Sequence, residues 1–328
     1  MTNPTFRFAR RALLVLAACT AFSGAAFAQA WPTKGPIKLV VNFPPGGAAD
    51  VIGRALATHL SDALKQQVVV ENKPGANGNL GADMVAKSPN DGYTLLMSSG
   101  GAMTVNPFIY TKMPFDAEKD LVPVASVARV LVFLMTNPSV PVANVKEFVD
   151  YAKANPGKLS YGSAGTGSSP HLAGEMFARQ AGFKAQHIPY KGAAPALVDL
   201  LGGQVQFMFD PGPGLRHAKD GKLKLLAVGS PKRSSQYPDT PTLAESGMTG
   251  FDTDTIFGVY APGGTPAAIV GQLHSEINKA LATPKMAEVI GALGAEVSPL
   301  SLKDFVDRQH KDRERFGAFI KEIGLKVE

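Results

Sequence analysis

Short apolar runs alternate with helical patterns along the first third of the chain. Residues 37–43 form a mostly apolar run that is typical of a buried strand, and a Pro-Gly turn and a helical stretch over about 49–64 follow it. Residues 68–70 and 93–97 predict two further strands. Strands separated by helices are joined by right-handed crossovers, so the pattern predicts an α/β fold with mainly parallel sheets.

The same alternation returns in the middle of the chain and gives way to helices near its end. Asn144 with Glu147 three residues later is a helix-start signal, and Pro156-Gly157 ends that helix. Further strands are predicted at 159–161, near 188, at 205–209 and at 223–228. Further helices are predicted at 169–180, 194–201, 266–281, 285–293 and 302–323.

Two apolar stretches, 122–135 and 255–260, contain no clear turn signal. We interpret them as two strands that cross between lobes. This interpretation makes the first domain discontinuous, built from residues 31–128 and 251–328, with residues 129–250 as the second domain.

Residues 1–28 have the pattern of a secretory signal peptide. Three arginines precede a short apolar run, and small residues at Ala26 and Ala28 fit a cleavage site. The sequence before Cys19 resembles a lipidation site, but the apolar stretch continues beyond it, so cleavage after Ala28 is favoured over a lipid anchor. A membrane-spanning anchor is disfavoured because the run is short. The expected location is the periplasm.

Charge and composition exclude several classes of protein. The net charge of +6 falls to about +3 without residues 1–28, which carry three arginines and no acid, and no basic patch indicates nucleic-acid binding. The single cysteine, Cys19, leaves with the signal peptide, so neither a disulfide nor a cysteine metal site is expected. The six histidines lack metal-site spacing. We therefore expect neither a metal nor a cofactor. We also expect the protein to be a monomer.

The segment 43–50 (FPPGGAAD) lies where a strand ends and a helix begins. Glycines there expose backbone N–H groups, and the helix N-terminus adds partial positive charge, so the turn suits an anion. The alternative is an ordinary strand–helix turn in which Asp50 is a favourable first-turn acid.

A second turn, 162–171 (GSAGTGSSPH), also lies between a predicted strand and helix. Its hydroxyls and glycines offer both side-chain and backbone donors to a carboxylate. It fails as a dinucleotide fingerprint because Pro170 replaces the third glycine. One anion turn in each predicted domain favours a ligand held between domains.

Signals for an enzyme are weak, since neither a GxSxG nor an SxxK motif is present. The rival hypothesis is an exported hydrolase or isomerase that uses Ser168, His171 and Asp210. His171 and Asp210 have plainer interpretations, as a structural histidine and as a turn former. Lys191, outside this set, is either a ligand contact or a solvated surface lysine. A ligand-presenting sensor subunit is a third possibility.

Seven blocks in order along the chain resemble the substrate-binding proteins of tripartite tricarboxylate transporters, also called the Bug family. They are residues 43–50 (FPPGGAAD), 70–76 (VENKPGA), 91–96 (DGYTLL), 188–192 (IPYKG), 200–205 (LLGGQV), 238–243 (PDTPTL) and 261–266 (APGGTP). The resemblance covers essentially the whole chain beyond the signal peptide.

This resemblance implies a type II periplasmic-binding-protein fold, in which two lobes joined by two crossing hinge strands close around a ligand. It implies a non-enzymatic receptor for a di- or tricarboxylate, an acidic amino acid or an aromatic acid, which it delivers to membrane transporter subunits. Asn42, Pro211 and Ile256 depart from the family pattern, so the resemblance does not name the acid. The candidate ligand-binding residues are Phe43, Gly46, Gly47, Ala48, Asp50, Ser99, Ser163, Gly165, Thr166, Gly167, Ser168, His171, Lys191 and Asp210.

Overall fold

A computed structural model describes residues 31–327 of the chain. The predicted signal peptide and Cys19 lie outside the described residues. Residues 31–34 form a short irregular segment, and residues 35–327 carry the helices and strands.

The described residues contain eleven strands and eleven α-helices. The strands are β1 (Ile37–Val41), β2 (Val68–Asn72), β3 (Thr94–Ser98), β4 (Leu121–Val130), β5 (Phe133–Thr136), β6 (Ser160–Ser163), β7 (Gln186–Pro189), β8 (Phe207–Asp210), β9 (Lys224–Val228), β10 (Thr255–Pro262) and β11 (Glu296–Val297). The helices are α1 (Ala48–Leu64), α2 (Asn79–Ala86), α3 (Gly101–Thr104), α4 (Asn106–Ile109), α5 (Val145–Ala154), α6 (Ser169–Ala181), α7 (Ala193–Leu201), α8 (Leu215–Lys219), α9 (Ala267–Leu281), α10 (Pro284–Gly291) and α11 (Leu302–Ile323).

The strands form two separate sheets, which confirms the predicted α/β class with two lobes. The first lobe holds a six-stranded sheet in the order β11-β4-β10-β3-β1-β2, and the second holds a five-stranded sheet in the order β7-β6-β8-β5-β9.

The prediction that the sheets are mainly parallel was wrong, because both are mixed. Strand β1 pairs in parallel with β2 and β3, and β6 pairs in parallel with β7 and β8. The other pairings, which involve β4, β10 and β11 in the first sheet and β5 and β9 in the second, are antiparallel. The physical reason is that the strands next to the lobe crossings pair with antiparallel neighbours: β4 pairs with β10 in the first sheet, and β5 pairs with β8 and β9 in the second.

The chain passes between the lobes twice. It leaves the six-stranded sheet after Val130 and joins the five-stranded sheet at Phe133, and it returns when β10 begins at Thr255. Arg129 ties the two passages together, since its guanidinium donates to Asp254 at 2.7 Å and to Glu296 at 2.9 Å. The first passage lies inside the predicted stretch 122–135, and the second ends where the predicted stretch 255–260 begins.

Each lobe has its own apolar core. In the second lobe, Phe148 packs against Phe177 and Phe207 with ring centroids 5.6 and 5.0 Å apart, under α5 and α6. In the first lobe, Tyr260 and Phe305 meet at 5.6 Å between the sheet and α11. Burial of large apolar side chains of this kind is the main favourable contribution to folding.

A further cluster of buried residues joins the lobes, and we call it the bridging cluster. Leu172 on α6 of the second lobe packs against apolar side chains of α4, α11 and their neighbourhood in the first lobe. An ion pair between Arg179 and Glu322, at 2.8 Å, lies across the same seam. The members of the bridging cluster are Val105, Ile109, Leu172, Phe316 and Ile320.

Within residues 31–327, none of the helices is both long and apolar enough to cross a bilayer. The same residues contain no group of histidine, cysteine or acidic side chains arranged to hold a metal ion.

Candidate functional site

A cavity of about 150 Å³ lies between the two lobes. Both lobes supply its walls, and the crossing strands β4 and β10 contribute Val130 and Thr255 to them. Its lining residues are Phe43, Pro44, Pro45, Gly47, Ala48, Ala49, Asn77, Ser99, Gly101, Val105, Val130, Ala164, Gly167, Ser168, Ser169, Pro170, Leu172, Lys191, Gly192, Ala193, Ala194, Pro195, Pro211, Thr255, Phe257 and Phe316.

The first anion turn brings the start of α1 to the cavity. Gly47 caps the helix with an extended backbone (φ −77°, ψ 168°), and the first intrahelical bond runs from Val51 N to Gly47 O. The preceding amides, those of Ala48 to Asp50, therefore have no partner inside the helix. Gly47, Ala48 and Ala49 line the cavity. This helix start presents free donors and the positive end of a helix dipole to a ligand.

Asp50 holds this turn in place from behind and does not line the cavity. Its carboxylate accepts from the Gly46 amide at 2.9 Å, from Asn72 at 2.8 Å and from Arg54 at 3.1 Å. Burial alone would raise the pKa of Asp50, but the hydrogen bonds from Arg54, Gly46 and Asn72 outweigh burial and lower the pKa below its ordinary value. The Gly46 amide is thus already bonded within the turn.

The second anion turn brings the start of α6 to the opposite wall. Ser168 occupies the cap position, with an extended backbone, and its hydroxyl donates to Gly165 O at 2.7 Å. The first intrahelical bond runs from Leu172 N to Ser168 O, which leaves the amide of Ser169 without a helical partner. Gly167, Ser168 and Ser169 line the cavity.

One buried and one half-buried histidine support the second turn. The Gly167 amide donates to His171 Nδ1 at 3.0 Å, so this nitrogen carries no proton. Burial, together with the neighbouring His187, lowers the pKa of His171 to about 3. The ring of His187 stacks on the ring of His171 with centroids 3.8 Å apart. The Nε2 atom of His187 lies 2.7 Å from Ser163 Oγ. Ser163 Oγ also accepts from the Gly165 amide at 3.1 Å. His171 and Ser163 therefore shape the turn through Gly167 and Gly165, and neither lines the cavity.

A third helix start reaches the same cavity, and the sequence reasoning missed it. Helix α7 begins after Gly192, whose φ of 120° favours glycine, and Ala193, Ala194 and Pro195 line the cavity. The signal was present in the sequence, because residues 188–195 repeat the strand–glycine–helix pattern of the two recognised turns. Three helix N-termini thus point partial positive charge at one space.

The remaining predicted residues divide between the wall and its support. Lys191 and Ser99 line the cavity, and Lys191 is exposed to solvent. Asp210 is fully buried outside the wall, where one carboxylate oxygen accepts from Gly212 and Gly214 at 2.7 and 2.8 Å. The other oxygen, Oδ2, has no hydrogen-bond partner among the described residues.

Half of the predicted site residues form the cavity wall. Those that line it are Phe43, Gly47, Ala48, Ser99, Gly167, Ser168 and Lys191. Those placed outside the wall are Gly46, Asp50, Ser163, Gly165, Thr166, His171 and Asp210. Direct ligand contact by this second group stays a prediction, and for most of them the hydrogen bonds described above indicate a supporting role.

The sequence reasoning also missed other residues of the wall, both apolar and polar. Asn77, Val105, Thr255, Phe257 and Phe316 line the cavity, although they come from segments far apart along the chain. No local motif marks them, since they come together only when distant segments of the first lobe pack on one another.

The rival catalytic arrangement is not assembled. Within the described residues, Ser168 Oγ donates to Gly165 O, His171 Nδ1 accepts from Gly167, and Asp210 accepts from the Gly212 and Gly214 amides. A serine nucleophile needs a base within hydrogen-bond reach, and these three side chains bond other groups.

Asp210 makes stability depend on pH in a direction that can be measured. Burial raises the pKa of Asp210 to about 6, against the opposing effect of the Gly214 and Gly212 amides. The folded protein therefore binds this proton more tightly than the unfolded chain, whose carboxyl keeps an ordinary pKa near 3.8. The stability that Asp210 contributes is complete below about pH 4 and is lost as the pH rises through about 6.

We expect Asp210→Asn to remove this dependence, because the amide does not titrate. The unfolding free energy of the variant relative to the natural protein should rise by ~3 kcal/mol between about pH 4 and about pH 7.5. Urea denaturation of both proteins across this range measures the difference. Asp254, whose pKa is also raised to about 6 by burial, is present in both proteins and cancels. Parallel stability curves would show that the Asp210 carboxyl is not perturbed.

Comparison with protein families gives a match over most of the chain. A family model described as "Tripartite tricarboxylate transporter family receptor" matches residues 52–325. Protein BugT of Bordetella pertussis is 38% identical over 305 residues, which are 92% of this chain and 92% of BugT.

Two solved structures share both the fold and a substantial part of the sequence. The periplasmic binding protein BugD superposes with a TM-score of 0.83 at 34% identity, over 90% of this chain and 100% of BugD. A protein of R. palustris solved with adipate superposes with a TM-score of 0.86 at 35% identity, over 90% of this chain and 99% of that protein.

Proposed function

Because this chain belongs to the tripartite tricarboxylate transporter receptor family, we propose that it is an exported receptor that captures a small organic carboxylate between its two lobes. The observation that carries this proposal is the meeting of three helix N-termini, those of α1, α6 and α7, at one cavity between the lobes. Free amides and helix dipoles can satisfy one carboxylate without a full counter-charge. The similar R. palustris protein was solved with adipate, which is such an acid.

We propose that the ligand is enclosed by rotation of two domains, residues 31–128 with 251–328 and residues 129–250, about the two crossing strands. Close contacts across the seam support a closed arrangement. A Cβ added at Gly167 would lie 2.2 Å from Ile109 Cδ1, and one at Gly192 would lie 3.3 Å from Pro44 Cγ. An open form would separate these pairs and admit the ligand.

Export and delivery complete the proposal. Residues 1–28 would direct the chain to the periplasm and be removed after Ala28, and the folded monomer would pass its ligand to membrane subunits of the tripartite type. Intact-mass measurement of protein from a periplasmic extract tests the cleavage site. A mass that corresponds to a chain starting at a lipid-modified Cys19 would contradict cleavage after Ala28 and would show that the protein is anchored by a lipid.

The ligand class is tested by releasing whatever co-purifies with the protein and identifying it by mass spectrometry. The emptied protein is then titrated with a panel of organic acids in a calorimeter, and we expect at least one acid to bind with micromolar affinity or better. The acid should also be recovered unchanged after long incubation, because a receptor turns over no substrate. A panel in which no acid binds would overturn the proposed function, and conversion of the acid would favour the enzyme hypothesis.

A further inference from the structure

One side of the seam between the lobes is formed by a loop with an unusual backbone. Between β2 and α2, residues 75–78 all have positive φ angles, from 47° to 133°. Ala76 and Asn77 carry side chains, and residues with a side chain rarely adopt this left-handed conformation. Such a backbone persists only where the surrounding contacts hold it. The loop brings Asn77 to the cavity wall.

The loop is held by Asn106, which begins α4 and is fully buried. Its Nδ2 donates to Asn77 O at 3.0 Å and to Asn79 Oδ1 at 2.6 Å, and its Oδ1 accepts from Asn77 Nδ2 at 2.7 Å. Because a carbonyl oxygen only accepts, the bond to Asn77 O fixes which end of the Asn106 amide donates, and thereby the orientation of the Asn77 amide. All three asparagines belong to the first lobe, so these bonds do not involve the second lobe.

The second lobe meets this loop at Gly167. A Cβ added at Gly167 would lie 3.0 Å from Asn77 Nδ2 and 2.2 Å from Ile109 Cδ1. Ile109 is the last residue of α4, which Asn106 begins, so Asn106 adjoins both contact residues. We call Asn77 and Ile109 the closure seat. The seat leaves no space for a side chain at position 167, because packed atoms cannot approach so closely.

Gly167 connects the closure seat to ligand binding. It lies in the second anion turn, it lines the cavity, and its amide donates to His171 Nδ1 at 3.0 Å. How closely Gly167 approaches the seat therefore sets how closely the start of α6 approaches a ligand held at the start of α1. A gap of about 1 Å is enough to take a hydrogen bond out of its range.

We propose that the closure seat determines how long a bound ligand stays enclosed, with Gly167 as the residue that reaches the seat and Asn106 as the residue that positions it. This inference rests on the proposed receptor function and on rotation of the two domains. The seat meets the second lobe only when the lobes are together, so it acts on ligand release and not on the first encounter.

Gly167→Ala places a methyl group in the contact and tests the seat. We expect the dissociation rate constant to rise about ten- to hundredfold, with the association rate constant unchanged. The probe is the tightest-binding acid of the calorimetric panel, and stopped-flow fluorescence measures both constants. A dye on Val198→Cys reports closure, because Val198 on α7 is 65% exposed and does not line the cavity, and the proposed mature chain has no other cysteine.

Ile109→Val removes Cδ1, the atom that the added methyl group would strike, while the next atom, Cγ1, lies 3.7 Å from the Cβ position. The double variant Gly167→Ala with Ile109→Val should therefore release the acid at least about threefold more slowly than Gly167→Ala alone. The positive φ of Gly167 strains an alanine equally in both backgrounds, so strain alone gives no such recovery.

Gly165→Ala is the matched control. Gly165 also has a positive φ, 124°, in the same turn, but its added Cβ would lie near Tyr190 O of the same lobe, at 3.3 Å. Whatever its effect on release, Ile109→Val should not relieve it, because the two sites share no contact.

The role of Asn106 is tested by Asn106→Ala in two backgrounds. In the natural protein we expect release to become about three- to tenfold faster, because the seat loses its support. In Gly167→Ala, which already fails to reach the seat, the same substitution should add little. A residue that only stabilised the first lobe would change release by the same factor in both backgrounds.

The outcomes separate this inference from the function beneath it. Release at the natural rate in Gly167→Ala, or slower association with unchanged release, would overturn the closure seat and leave the receptor function standing. Absence of recovery by Ile109→Val, or equal recovery of Gly165→Ala, would do the same. Equal effects of Asn106→Ala in both backgrounds would overturn its positioning role. If the natural protein bound no acid of the panel, the receptor function would fall, and the inference with it.

Discussion

Replacing Ala48 by proline is expected to weaken carboxylate binding by about ten- to hundredfold. Ala48 is the first residue of α1 and lines the cavity. Proline is tolerated at the first helical position, and the extended Gly47 before it (φ −77°, ψ 168°) is compatible with a following proline. The substitution therefore removes one free N–H donor and retains the helix. Calorimetric titration with the identified acid measures the loss.

Ala267→Pro is the matched control for this experiment. Ala267 is also a first helical residue of the first lobe, at the start of α9, but it does not line the cavity. Both variants should show natural secondary structure by circular dichroism, and only Ala48→Pro should lose affinity. Equal affinity of Ala48→Pro and the natural protein would show that this amide does not contact the ligand.

Replacing Asp50 by alanine is expected to lower the free energy of unfolding by about 2–3 kcal/mol. Asp50 is buried with 3% of its surface exposed, and its carboxylate accepts from the Gly46 amide, Asn72 and Arg54. Without it the Gly46 amide and the Asn72 side chain lose their acceptor in a poorly hydrated place. Because the same bonds hold the first anion turn, ligand affinity should fall together with stability.

Two further variants isolate the cause of this loss. Asp50→Asn retains one acceptor oxygen and should show an intermediate effect in urea denaturation. Asp150→Ala breaks an ion pair with Lys146 of the same i, i+4 spacing, but both side chains are well exposed, so little change is expected. If Asp50→Ala were as stable as Asp150→Ala, the network around Asp50 would not stabilise the turn.

The local parts of the fold could be predicted from the sequence, whereas the assembly could not. Helix starts at Ser169 and Leu302 are marked by caps, glycines and apolar periodicity within a few residues. The short helices α3 and α4 and the two-residue strand β11 have no such pattern. The antiparallel pairings depend on which strands lie side by side, such as β4 with β10 and β5 with β8 and β9, and periodicity does not contain this information.

The candidate site divides in the same way. The two glycine turns were predicted because strand–glycine–helix patterns are local, but the partners of their amides were not. Asp50 bonds Gly46, and His171 bonds Gly167, so these amides are committed within the protein. Thr255 and Phe316 were missed because they come from β10 and α11, far from the glycine turns in sequence, and approach the cavity only through tertiary packing.

The discontinuity of the first lobe has a consequence for the order in which the molecule is made. Its six-stranded sheet combines β1 to β4 with β10 and β11, so it stays incomplete until nearly the whole chain has left the ribosome. The five-stranded sheet is contiguous from Phe133 to Val228 and can form earlier. The edge of β3 that pairs with β10 therefore stays unpaired while the nascent chain is being made. Pairings between strands so distant in sequence also form slowly.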